Sequence, residues 1–149
     1  GINTNEDGVS VTTILDGRLH ILAGLGEEGD GIDSNGFLVI RGGTVVCAAN
    51  PASDAGLDSD EGTFIHGGTV IAFGVAENPI APESRQTALN FQFPHPVADT
   101  IEIVDENGAS VFVFDLAADE HFSQHPRRYT EAVISCPDFR ADQTYLPAS

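Results

Sequence analysis

The segment Gly31-Ile32-Asp33-Ser34-Asn35, followed by Ile40-Arg41-Gly42-Gly43-Thr44-Val45-Val46, returns 25 residues later without a gap. The second copy reads Gly56-Leu57-Asp58-Ser59-Asp60, then Ile65-His66-Gly67-Gly68-Thr69-Val70-Ile71. A weaker copy precedes both: Asp16-Gly17-Arg18-Leu19-His20-Ile21 matches Asn35-Gly36-Phe37-Leu38-Val39-Ile40, and Asp7-Gly8-Val9 echoes Asp30-Gly31-Ile32. Such a period marks units that bury their apolar faces only by stacking on their neighbours. This unit is too short for a pair of helices. Leu38-x-Ile40 alternates as a strand does, β-branched residues follow each Gly-Gly, and Asp-Ser-Asn-Gly has turn chemistry. The expected fold is therefore all-β: a short parallel β-helix (solenoid) of about three coils over residues 1–74, with the glycine pairs at its corners.

Residues 75–88 lack periodicity, contain two prolines and read as a connector. Beyond it, Leu89-x-Phe91-x-Phe93, Ile101-x-Ile103 and Val111-x-Val113 alternate, and Asp105-Glu106-Asn107-Gly108 carries a hairpin signal. Further strands are expected over Ala132–Cys136 and around Tyr145. Residues 89–149 thus read as a small antiparallel β cap packed on the solenoid, protecting its open edge.

Charge narrows the partners. Six Lys+Arg, all Arg, stand against 23 Asp+Glu, a formal net charge of −17 that repels a phosphate backbone. Nucleic acid is an improbable partner. No run of about 18 apolar residues is present to span a membrane as a helix. The chain opens without Met or a leader pattern, as a processed, exported protein would and equally as an expression fragment would; a secreted or cell-surface location is expected.

The acids cluster at the repeat corners. Stacking the two strong copies sets Asp33 on Asp58 and Asn35 on Asp60, with Asp30 and Asp54 near the start of each. Neighbouring strands lie about 4.8 Å apart, so matched carboxylates repel unless a cation lies between them. Calcium, which takes six to eight oxygens at about 2.3–2.6 Å, suits that gap. The candidate ligands are Asp30, Asp33, Asn35, Asp54, Asp58 and Asp60, with Asp7 and Glu6 extending the column and Glu27 or Glu28 closing its side, and several ions are expected. The same Asp and Asn residues could instead serve only as turn formers.

Cys47 and Cys136 have no CxxC neighbour, which argues against zinc. They are either buried thiols or a disulfide tying the first half of the chain to its last long strand, and the extracellular tone of the composition favours the disulfide.

The stretch from Gly29 through Asp33, Gly36 and Ile40 to Val45 resembles the signature coil of the bacterial carbohydrate-binding parallel β-helix family, cell-surface proteins of a cellulose- and pectin-binding type. The tail, from its hairpin to Ile134-Ser135-Cys136-Pro137-Asp138-Phe139, is similar in order. The resemblance implies calcium at the Asp-rich corners and affinity for acidic or cellulosic polysaccharide. With no Trp and two Tyr, aromatic stacking on sugar is poorly provided for. An alternative is a homopolymeric extracellular fibre, in which identical subunits add at the blunt edge of Gly1-Ile2-Asn3 and calcium stabilises the filament. Calcium-dependent polysaccharide lyase chemistry is the least favoured reading: it needs a base beside the metal, Lys is absent, and Arg18 and Arg41 read as surface counter-charges. No catalytic residue is assigned, and His20 and His66 are expected to face solvent.

Overall fold

The computed structural model describes residues 1–6, 9–26, 29–75 and 77–148. Nine short strands come first: β1 (Ile2–Thr4), β2 (Val11–Ile14), β3 (Arg18–Leu22), β4 (Ile32–Ser34), β5 (Phe37–Ile40), β6 (Thr44–Ala48), β7 (Leu57–Ser59), β8 (Gly62–Ile65) and β9 (Thr69–Phe73). They pair parallel in three ladders, β1-β4-β7, β2-β5-β8 and β3-β6-β9. The tail contributes β10 (Ala88–Val97), β11 (Thr100–Asp105), β12 (Ser110–Asp115), a short α1 (Glu120–Gln124), β13 (Tyr129–Ser135) and β14 (Tyr145–Pro147).

The expectation of one solenoid closed off by a separate antiparallel cap is overturned. The described strands form four separate sheets: two parallel and three-stranded, one antiparallel (β12-β11-β14), and one mixed and five-stranded, β10-β13-β9-β6-β3. The tail strand β13 pairs antiparallel with β9, and β10 with β13, so the tail completes a sheet that the repeats begin. The physical reason lies in β6 and β9. Both are buried on both faces, and a sheet with two apolar faces needs cover on both sides. Val45, Cys47, Val70 and Ala72 face a core shared with Ile32, Leu38, Ile40 and Ile65. Val46, Ala48, Ile71 and Phe73 face a second core built with Phe91, Ile103, Phe122 and Tyr129 of the tail.

That alternation also removes the expected disulfide. Cys47 and Cys136 are free and buried, and they lie in different cores on opposite faces of the mixed sheet.

The weak first copy has a different register from the one its sequence suggests. Arg18–Leu22 pairs with Thr44–Ala48, not with Phe37–Ile40, and Ile2 pairs with Ile32; Asp7-Gly8, matched in the sequence to Asp30-Gly31, lies outside the described residues. From the second copy to the third the offset is uniform, with Asp33 opposite Asp58 and Val45 opposite Val70. Gly108 closes the β11–β12 hairpin, donating to Asp105 O at 3.0 Å, as the Asn-Gly signal predicts.

Candidate metal centre

Three-residue strands place the acids. In β4 and β7 the outer residues Ile32, Ser34, Leu57 and Ser59 are buried, so the central Asp33 and Asp58 turn outward, side by side. Asp30, one turn before β4, completes the group: one ligand oxygen from each of Asp30, Asp33 and Asp58 lies within 4.8 Å of the others. Two calcium–oxygen bonds across an ion span up to about 5 Å, so a single ion reaches all three.

Asparagines close the column at both ends. Asn3, in register with Asp33 on β1, donates its amide to Asp33 Oδ2 at 2.6 Å. Asn78, from the connector, donates to Asp58 Oδ1 at 2.7 Å. Asp30 Oδ1 accepts from the Ala55 amide at 2.9 Å. Each carboxylate uses one oxygen in this way and has a second to offer a cation, and turning either amide over would present its oxygen as well.

The electrostatics follow from crowding. Partial burial holds Asp30 above the ordinary carboxylate range, and Asp58, Asp54 and Asp33 add to the effect against the Ala55 hydrogen bond. Asp33 is raised by burial and then by Asp58 and Asp60. Glu77 is raised by desolvation and by the charges of Asp58, Asp30 and Asp54. Among the described residues the sole close contact between a basic and an acidic side chain is His20 with Asp119 at 3.4 Å, an ion pair only when His20 is protonated, so no arginine neutralises this group.

Not every predicted ligand joins it. Asp54 accepts from the Gly29 amide at 2.8 Å and from the Ser53 hydroxyl at 3.0 Å, beside the triad rather than in it. Asn35 and Asp60 follow the strands at the next corner, where Asn35 donates to Asn5 O at 3.4 Å and Asp60 is exposed. Asp7, Glu27 and Glu28 lie outside the described residues. Asn3, Glu77 and Asn78 were not anticipated: Asn3 sits 30 residues from its partner, off the 25-residue period, and the connector has no period to place Glu77 and Asn78.

One histidine, His20, differs from expectation. His20 is part-buried, its ring 5.0 Å from that of His121, and burial, before the opposing charge of Asp119, lowers its pKa. His66 Nδ1 accepts from the Arg85 amide at 3.2 Å. Comparison of the chain with protein families, characterised proteins and solved structures gives no match.

Proposed function

We propose that this is an extracellular calcium-binding protein whose Asp30–Asp33–Asp58 centre takes one ion, with positions left open on that ion for the carboxylates of an acidic polysaccharide. The convergence of three carboxylates within 4.8 Å, none neutralised by an arginine, carries the reading. A site of three protein carboxylates supplies fewer than the six to eight oxygens calcium takes, and uronate oxygens are of the right kind to complete it. The cleft beside it, about 350 Å³ and lined by Ile2, Asn3, Gly29, Asp30, Asp33 and Asp54, gives a sugar acid room to approach. The fibre alternative draws less support, because a subunit adding at Gly1-Ile2-Asn3 needs the opposite edge of its neighbour free, and connector residues occupy that edge at β8: Ala81 N donates to Thr63 O at 2.8 Å and Gln86 N to Ile65 O at 3.1 Å.

Thermal unfolding with calcium and with EDTA tests the metal. Calcium at about a hundred times its dissociation constant contributes about 2.7 kcal/mol, a rise of roughly 5–10 °C for a domain of this size. Asp58→Asn should abolish that rise and, by relieving repulsion, raise the midpoint in EDTA. If the carboxylates serve only the turns, Asn substitutes for Asp and neither change appears. Retention on immobilised polygalacturonate, with calcium and without, then tests the ligand; equal retention in EDTA would refute it.

A further inference from the structure

Two histidines and a carboxylate meet where α1 of the tail packs on β3. His20 comes from β3 and His121 from α1, and their ring centroids are 5.0 Å apart. Asp119 caps α1. Its Oδ1 accepts from the amides of His121 at 3.0 Å and Phe122 at 3.3 Å, which fixes the side chain and leaves Oδ2 facing His20 Nδ1 at 3.4 Å. Only 11% of the His20 side chain and 9% of the Asp119 side chain are exposed. Close as the two are, His20 Nδ1 is buried and has no hydrogen-bond partner among the described residues. A buried ring nitrogen in that state costs free energy unless something else satisfies it.

We propose that His20, Asp119 and His121 hold a divalent transition-metal ion of the zinc type, at a site separate from the calcium centre. The spacing selects it. Zinc takes nitrogen and carboxylate oxygen at about 2.0–2.2 Å in a tetrahedron, so two of its ligand atoms stand about 3.4 Å apart. Nδ1 and Oδ2 have that separation. An ion between them lies off the line that joins them, so a pair placed for a metal need not be aligned for a hydrogen bond.

The chemistry agrees with the spacing. Imidazole suits zinc and its neighbours, whereas calcium takes oxygen. Burial lowers the pKa of His20, which keeps its ring neutral at pH 7, the form that ligates. His121 is exposed, so turning its ring brings a nitrogen to the ion without moving either element. A cleft of about 380 Å³, lined by the same three residues with Arg18, Ala118 and Glu120, leaves a fourth position to water. Arg18 opposes the ion: its Nε donates to His20 Nε2 at 3.4 Å. A metal on Nδ1 leaves the ring proton on Nε2, so that long bond is given up and the exposed Arg18 turns outward.

Titration of the full chain with Co2+ is the test, because the tetrahedral ion absorbs visible light far more strongly than the hydrated one. The visible band should saturate at one equivalent and be displaced by Zn2+, and Zn2+ should raise the thermal midpoint. His121→Ala, and Asp119→Asn, which retains the capping oxygen, should each weaken binding about tenfold or more. Arg18→Gln should tighten it. Asp58→Asn should bind Co2+ as the parent does, so the outcome is independent of the calcium centre. Each variant should keep the parent's circular dichroism. A parent that gives no tetrahedral spectrum, His121→Ala and Asp119→Asn variants that bind as tightly as the parent, or binding lost in Asp58→Asn would overturn the proposal and leave His20 and Asp119 as a pair that forms only on protonation.

Discussion

At the scale of single residues, protons and thiols report the environments described above. A carboxyl whose folded pKa stands above its unfolded value binds its proton more tightly in the native state, so stability is lost as pH rises from the unfolded pKa through the raised one. Asp30, Asp33 and Glu77 are all of this kind, from ordinary values of 3.8, 3.8 and 4.5. The metal-free protein should therefore lose their contribution as pH climbs from about 4 upward, and the rise in midpoint produced by calcium should grow over the same interval. Melting curves taken through that range with EDTA and with calcium check both signs; a calcium effect that shrinks as pH rises would contradict the assignment. Cys47 is a second reporter. Burial pushes its thiol up to about 12, so it should resist iodoacetamide in the native protein. Denaturation without reductant should then label both cysteines, whereas a disulfide would leave them unlabelled.

At the scale of the elements, the corners before β6 and β9 are the most constrained points of the repeat. Gly43 has φ of 83°, and a Cβ there would stand 2.5 Å from Gly17 O; Gly68 has φ of 85°, with Gly43 O at 2.7 Å. Ala at either position combines the left-handed penalty of about 1–2 kcal/mol with a backbone clash, so the expected loss is about 2 kcal/mol or more. Gly17 shares the conformation but has nothing within 4 Å, so Gly17→Ala should cost only the conformational part. Denaturant midpoints of the three variants test the ordering; equal losses would show that contact between stacked corners contributes nothing. This stacking is also why much of the candidate site was legible in the sequence. Where one repeat lies on the next with constant offset, a one-dimensional period becomes a spatial register, and Asp33 meets Asp58 as the overlay requires. The first repeat departs from that offset: Ile2 pairs 30 residues on and Val11 and Arg18 pair 26 on, so the overlay of Asp16–Ile21 on Asn35–Ile40 misplaces a strand. Asn78 and Glu77 were illegible for a related reason, since a connector is placed by the edge it covers and not by a pattern of its own.

At the scale of the whole molecule, the repeats and the tail meet along the outer face of the mixed sheet, and the sequence carried little sign of it. The hydrophobic alternation of β10 and β13 announces strands without saying which edge they join, and Val46, Ala48, Ile71 and Phe73 give the outer face an apolar surface that only the tail explains. One cation fastens that junction. Arg127, between α1 and β13, donates through Nη1 to Ala23 O at 2.5 Å and Ala49 O at 2.7 Å, the carbonyls of the residues just beyond β3 and β6. Tyr129, buried against Phe73 with ring centroids 4.9 Å apart, donates to the same Ala49 O at 3.2 Å. Hydrogen bonds from a charged donor are worth about 1.5–3 kcal/mol each, and losing Arg127 also takes from Ala23 O its side-chain donor while Ala49 O keeps Tyr129. Arg127→Ala should therefore cost about 3 kcal/mol, against about 1 kcal/mol for Tyr129→Phe, which keeps the ring and loses only the hydroxyl. The loss should be cooperative: amide exchange should accelerate together in β3, β6 and β13, because the guanidinium ties all three. A cost under about 0.5 kcal/mol, the usual result for an exposed surface residue, or faster exchange confined to β13, would mean that packing alone holds the tail to the repeats.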